Sequence, residues 1–250
     1  MLKTRIIPTL LYKDHGLVKG TSFDSWRRIG TALPAIKIYN SRQVDELIFV
    51  DISASTENRT IDFEIIDQLA DDCFMPLTVG GGIKTINDIK SLLLAGADKV
   101  SINSAALKNP KLISDSANRF GSQCIVVSID TKKTNSYQVC INSGREPVDV
   151  DPIKWAMEVE MLGAGEILLT SINNDGTMQG YDLDLIKKIT SAVKIPVIAS
   201  GGAGNYNDLY LAITTGGASA VAAASMFHFT EQTPIGAKQY LREKGIPVRI

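Results

Sequence analysis

MPLTVGGGIKTINDI, residues 75–89, returns later in the chain as IPVIASGGAGNYNDL, residues 195–209. Gly82 falls on Gly202 and Asp88 on Asp208, an offset of 120 residues (202 − 82). A second block, AGADKVSINSA (95–105), returns as GGASAVAAAS (216–225), with Ser104 on Ser225 at an offset of 121 (225 − 104). A third, DELIFVDISAS (45–55), returns as GEILLTSINND (165–175), with Glu46 on Glu166 at 120 (166 − 46). One such match between buried strands could be chance. Three in the same order at nearly one offset, about half of the 250 residues, indicate a duplicated half.

Each block runs from an apolar stretch through a Gly- or Ser-rich turn into an amphipathic stretch. Eight β-branched, nearly continuously apolar runs are legible, at 5–11, 46–52, 76–79, 99–103, 124–130, 166–171, 196–199 and 220–223. Such runs belong to strands covered on both faces. Helical patterns lie between them, for example at 87–94, 151–162 and 182–192. Strand then helix, eight times in 250 residues, predicts one (β/α)8 barrel over 1–250, built from half-barrels of about 1–120 and 121–250. An open doubly wound sheet is the fallback.

Composition narrows the function. Lys and Arg number 26 and Asp and Glu 27, for a net charge of −1 with no basic block, so nucleic acid is not the expected partner. No apolar run reaches the roughly 18 residues a membrane span needs. The start, MLKTRIIPTLLYKDHG, lacks the pattern of a signal peptide, and a cytoplasmic location is expected. Cys73, Cys124 and Cys140 are scattered, and neither His15 nor His228 joins a cluster at metal-ligand spacing. No disulfide, metal or cofactor is expected. His228, between Phe227 and Phe229, reads as a packed cap residue. Trp26 and Trp155 read as packing residues.

In a barrel, chemistry sits at the C-terminal ends of the strands. There the first half offers Gly81 and Gly82, with Asn103 and Ser104 one strand on. The second offers Asp175 and Gly176, then Gly201 and Gly202, then Ala224 and Ser225. Glycine lets backbone N–H groups approach an anion. A copy in each half suggests two anion sites across the mouth and a ligand phosphorylated at both ends. Thr170 is a further candidate for hydrogen bonding to substrate.

The segments VKGTSF (18–23), VDISAS (50–55), LTVGGGI (77–83), GADKVSIN (96–103), GAGEILLTSINNDGT (163–177), IPVIASGGAG (195–204) and FHF (227–229) together resemble the HisF family, the cyclase subunit of imidazole glycerol phosphate synthase. The resemblance runs from residue 5 to about 229. It implies a lyase-type subunit of a glutamine amidotransferase complex in histidine biosynthesis, paired with a HisH-like glutaminase. Ammonia would enter the barrel base through Arg5, Glu46, Lys99 and Glu166, at the starts of the first, second, fourth and sixth strands. It would react with a phosphorylated substrate at the top. Spacing alone reads those four as ordinary strand-edge charges. Lys19 would be a phosphate contact.

The family uses two aspartates for general acid–base work, one ending strand one and one ending strand five. Asp130 is the second. The repeat places position 11 opposite it (130 − 119), and the residue there is Leu11. Asp14, in the strand-one loop, and Asp51, ending strand two, are the nearest substitutes. The stretch WRRIGTALPAIKIYNSRQ (26–43) is also atypical. The whole resembles the divergent WbuZ-type branch found with surface-polysaccharide genes, where ammonia would serve amidination of a sugar acetamido group. Two other readings stay open: an authentic cyclase, and a non-catalytic partner that activates a glutaminase and channels ammonia.

Overall fold

The computed structural model describes residues 3–249. Among the described residues, twelve strands and ten α-helices follow one another along the chain. Eight strands close a parallel barrel: β1 (Arg5–Lys13), β4 (Leu47–Asp51), β5 (Leu77–Gly80), β6 (Lys99–Ile102), β7 (Ile125–Lys133), β10 (Glu166–Ser171), β11 (Val197–Ser200) and β12 (Ala220–Ala223). β1 pairs with β12 on one side (Arg5 with Ala220) and with β4 on the other (Thr9 with Ile48). β10 pairs with both β7 and β11, which closes the ring.

The helices ring the barrel. In the first half these are α1 (Ala32–Ser41), α2 (Phe63–Asp71), α3 (Ile86–Leu94), α4 (Ser104–Lys108) and α5 (Lys111–Phe120). In the second they are α6 (Pro152–Met161), α7 (Leu183–Ala192), α8 (Tyr206–Thr214), α9 (Ser225–Phe229) and α10 (Pro234–Glu243). The repeat is visible in their caps. Thr85 and Asp88 form a capping box at the start of α3, and Asn205 and Asp208 form another at the matching turn of α8. Each box satisfies N–H groups that the first helical turn leaves open.

Side-chain alternation sorts every strand. One side, with Ile6 and Leu10 of β1, Leu47 and Phe49 of β4 and Val127 and Ile129 of β7, packs against the helices in the larger core. The other packs inward: Ile7, Ile48, Val126, Leu168, Ile198, Ala220 and Ala222 make a second, smaller core on the barrel axis. A buried pair, Lys238 Nζ to Asp45 Oδ1 at 2.8 Å, ties α10 to the barrel base, and Asp45 Oδ2 also accepts from the Ile6 N–H.

Four strands fall outside the eight-strand reading. β2 (Gly16–Thr21) and β3 (Asp24–Gly30) form a hairpin running on from β1, while β8 (Tyr137–Ile141) and β9 (Glu146–Val148) extend β7. The β1–β2 turn is Asp14-His15, with φ of 48° and 59°, and the β2–β3 turn is Ser22-Phe23, with φ of 51° and 62°. Two-residue turns with both φ positive suit the twist of a hairpin, but are usually marked by Asn or Gly. Neither turn contains glycine, so the usual signal is missing.

Candidate active site

The barrel base carries an alternating ring of charge. Arg5 Nη1 lies 2.7 Å from Glu46 Oε2, and Arg5 Nη2 lies 2.8 Å from Glu166 Oε1. Lys99 Nζ closes the ring, 3.0 Å from Glu46 Oε2 and 3.1 Å from Glu166 Oε2. Thr78 donates its hydroxyl hydrogen to Glu46 Oε1 at 2.7 Å, which uses the other oxygen of that buried carboxylate. Burial works against the Arg5 charge, but Glu166 and Glu46 outweigh it and raise its pKa. Each cation meets both anions, so no charge of the ring is left unpaired. Beyond the ring lies the apolar inner core of Ile7, Ile48, Val126 and Leu168.

At the other end is a cavity of about 500 Å³. Its lining includes Lys19, Gly81, Gly82, Asn103, Ser104, Asp130, Thr170, Asp175, Gly176, Gly201, Gly202, Ala224 and Ser225. Gly82 has φ of +66°, and an added Cβ would stand 2.0 Å from the Arg59 carbonyl oxygen. Gly202, at φ +116°, would put one 2.1 Å from the Gly180 carbonyl oxygen. No side chain fits at either turn, so backbone forms that part of the wall.

Asp130 sits where β7 meets the cavity. Ser128, two residues earlier on the same face, donates to its Oδ1 at 3.2 Å, and Asn103 Nδ2 donates to its Oδ2 at 3.1 Å. Burial pushes its pKa up to about 7; the Ser128 hydrogen bond pulls down and the Asp175 charge pushes up. A carboxyl that titrates near neutrality can both take and give a proton there.

Lys19 and Asp175 are two further titratable groups in the mouth, the first buried and the second half-buried. Lys19 is 2% exposed and donates to the Thr9 carbonyl at 2.8 Å. Burial lowers its pKa to about 7, against the pull of Asp175. Burial raises Asp175 to about 6, with Lys19 opposing.

Leu11 lines the cavity from β1. Its neighbour on the same face, Thr9, has a buried hydroxyl with no hydrogen-bond partner. Neither substitute carboxylate replaces what Leu11 lacks. Asp14 is exposed in the hairpin turn and does not line the cavity. Asp51 does line it, but Oδ2 is 2.7 Å from Arg59 Nη1 and Oδ1 accepts from the N–H groups of Ser53 and Ala54. Asp51 is tied up in its own loop.

Other residues fall out differently. His228 does not line the cavity; its Nε2 is 3.4 Å from the Tyr39 hydroxyl. Burial, with the charges of Lys19 and Arg42, holds it neutral with a pKa near 3. Trp155 is core, but Trp26, read as packing, lines the cavity from β3 together with Phe23 of the hairpin turn. The hairpin is held across the mouth by the Ser22 N–H donating to the Asp175 carbonyl at 2.8 Å. Thr9, Ser128, Lys84 and Lys108 also line the cavity and were missed in the sequence. Period-two spacing back from Asp130 and position 11 would have found Ser128 and Thr9. Among the described residues no cluster of three His, Cys, Asp or Glu side chains has metal-binding geometry, and no helix is long and apolar enough to cross a membrane.

Comparison with known proteins covers the whole chain. The family model described as histidine biosynthesis protein matches residues 5–233. The imidazole glycerol phosphate synthase subunit HisF of Dehalococcoides mccartyi is 51% identical over 251 residues, covering 100% of this chain and 99% of the relative. The subunit of the same description from Natranaerobius thermophilus is also 51% identical over 251 residues, covering 100% of both.

Proposed function

The chain belongs to the histidine biosynthesis protein family, and on that premise we propose that it is a HisF-type synthase subunit that uses ammonia from a HisH-like glutaminase. One observation carries the reading: the closed charged ring at the base and the glycine-rimmed cavity at the mouth lie at opposite ends of one apolar barrel. Ammonia is small and neutral. It passes the ring when one ion pair swings aside, and the apolar layer above offers little to protonate it. At the mouth it meets a phosphorylated substrate. Gly81, Gly82, Asn103 and Ser104 hold one end, and Gly176, Gly201, Gly202, Ala224 and Ser225 hold the other, while Lys19, Thr170 and Asp175 position what lies between. Asp130 moves the proton.

The finer reading is a divergent branch serving amidination of a surface-polysaccharide sugar. Leu11 and the stranded Thr9 hydroxyl support it. A leucine transfers no proton, so a two-carboxylate ring closure loses half its acid–base pair. The authentic cyclase of histidine biosynthesis is the second reading, favoured by 51% identity across the full length of two HisF subunits.

The glutaminase would dock on the base. Among the described residues, the three most exposed large apolar side chains, Phe74 at 85%, Met161 at 80% and Leu94 at 76%, lie just before β5, β10 and β6, on the ring side of the barrel. Mixing the chain with a HisH-type glutaminase and following complex formation and glutamine hydrolysis tests this. A 1:1 complex with stimulated hydrolysis supports the reading; no complex and no stimulation refutes it.

A further inference from the structure

The two half-barrels put opposite kinds of side chain on facing walls of the cavity. Leu11 of β1 is in register with Val50 of β4, and Asp130 of β7 with Thr170 of β10. In the ring of eight, β7 and β10 lie four strands on from β1 and β4, so the two pairs face each other across the mouth. The repeat makes their positions equivalent: Leu11 to Asp130 (11 + 119) and Val50 to Thr170 (50 + 120). The hairpins extend the contrast. Phe23, in the β2–β3 turn, corresponds to Asn142 (23 + 119), in the β8–β9 turn, and both line the cavity. One wall is Leu11, Val50 and Phe23; the wall opposite is Asp130, Thr170 and Asn142.

Trp26 completes the apolar wall. It lines the cavity from β3, half-buried, and its indole lies over Gly20, where a Cβ would stand 2.8 Å from the ring. The hairpin that carries it is anchored at two places. The Ser22 N–H donates to the Asp175 carbonyl at 2.8 Å, and Phe23 packs on Gly144, where a Cβ would stand 2.7 Å from the phenyl ring. The charged groups on this side are turned elsewhere. Lys19 Nζ reaches one step deeper, to the Thr9 carbonyl, and Asp51 is held by Arg59. The indole is thus fixed over the cavity with part of its surface uncovered. Aromatic surface held rigid in this way gains from a flat apolar partner at little ordering cost.

We propose that Trp26 is a specificity-determining residue: with Leu11 and Phe23 it seats the flat, apolar face of a ring in the middle of the substrate. The polar edge of that ring meets Asp130, Thr170 and Asn142. The ring lies between the two glycine-turn ends, and each end keeps its phosphate. A C–H or π face buries apolar surface on the indole, and stacking of this kind changes affinity by about tenfold. An open chain with the same hydroxyls and charge presents no flat face and gains little. A saturated sugar ring and a heteroaromatic ring share this chemistry, and binding separates them. The inference rests on the cavity being the substrate site, as proposed above, and it adds a selection for shape to that site.

Calorimetric titration of the full chain with glucose 6-phosphate, sorbitol 6-phosphate and pyridoxine 5′-phosphate tests it, for wild type, Trp26→Leu and Trp26→Phe. Sorbitol 6-phosphate is the open-chain counterpart of the first probe, and the third carries a heteroaromatic ring. At least one ring compound is expected to bind wild type about tenfold tighter than sorbitol 6-phosphate, and which one does so identifies the ring. Trp26→Leu should bring that compound to within about threefold of sorbitol 6-phosphate, whose own binding changes less than about twofold; Trp26→Phe should keep most of the preference. Trp155 is in the core, so a change in tryptophan emission on binding, absent in Trp26→Leu, puts the ring at Trp26. The proposal falls if rings and open chain bind wild type alike, if Trp26→Leu keeps the preference, or if it weakens all three probes equally, which would make the hairpin only a cover. Those results leave the phosphate cavity standing, because sorbitol 6-phosphate still binds, and glutaminase stimulation tests the ammonia reading separately. If none of the three probes binds wild type, the cavity reading falls together with the proposal.

Discussion

Ser128 donates its hydroxyl to Asp130 across 3.2 Å on β7, while the buried hydroxyl of Thr9, at the matching place on β1, has no acceptor. The repeat pairs Thr9 with Ser128 (9 + 119) and Leu11 with Asp130 (11 + 119). A buried polar group without a partner costs free energy, commonly about 1–3 kcal/mol. Strand β1 thus keeps the donor of a serine–aspartate arrangement and lacks the acceptor.

Thr9→Val removes the stranded hydroxyl. In wild type the variant is expected to be as stable or up to about 1 kcal/mol more stable. In a Leu11→Asp background the hydroxyl has a carboxylate to serve, and the same change is expected to cost about 1 kcal/mol. Urea unfolding of the four proteins measures the coupling. Equal effects in both backgrounds would contradict the pairing.

Asp130 also makes stability depend on pH. Its folded pKa of about 7 stands above the ordinary aspartate value near 3.9. The folded protein holds this proton more tightly than the unfolded chain. That contribution is full below about pH 4 and is lost as pH rises through 7. Asp130→Asn has no such proton to lose, so between pH 4 and pH 8 it should gain about 1–3 kcal/mol relative to wild type. Parallel stability curves for the two proteins over that range would show that the carboxyl titrates normally.

Breaking the ring at the base should separate two sources of ammonia. Arg5→Ala leaves Glu46 and Glu166 sharing only Lys99, at a cost of about 1–3 kcal/mol. With the glutaminase bound, and in a Leu11→Asp background that turns over the histidine-pathway bisphosphate, glutamine-driven turnover should fall at least tenfold, because ammonia leaks or stalls at the base. Turnover driven by added ammonium should change less than twofold. Equal losses by both routes would make the ring merely structural.

Phe74→Glu, Leu94→Glu and Met161→Glu place charge on side chains that are already exposed, so each should shift stability by less than about 0.5 kcal/mol. The triple variant should lose the glutaminase complex in a sedimentation experiment. Unchanged affinity would move the docking face elsewhere.

Much of this architecture is legible in the chain because its period is long and repeated. The runs at 166–171 and 220–223 coincide with β10 and β12, and the other six inner strands lie within a few residues of their runs. The hairpin after β1 was not legible, since its turns, Asp14-His15 and Ser22-Phe23, take positive φ without the glycine that usually marks a two-residue hairpin turn. The glycine turns stood out because their chemistry is in the backbone. Lys84 and Lys108 did not, as lysines in a loop and a short helix read as solvated surface until the cavity shows what they border. The ring needed either the family resemblance or the structure, because four charges spread from residue 5 to residue 166 meet only when the barrel closes.

The most direct measurement is ammonium-driven cyclisation of the histidine-pathway bisphosphate by the purified chain and by Leu11→Asp. Wild type is expected to show no enzyme-like turnover, and Leu11→Asp measurable turnover once the second carboxylate stands beside Thr9. Wild-type turnover of roughly 1 per second or more would contradict it and make the chain an authentic cyclase that manages with Asp130 alone.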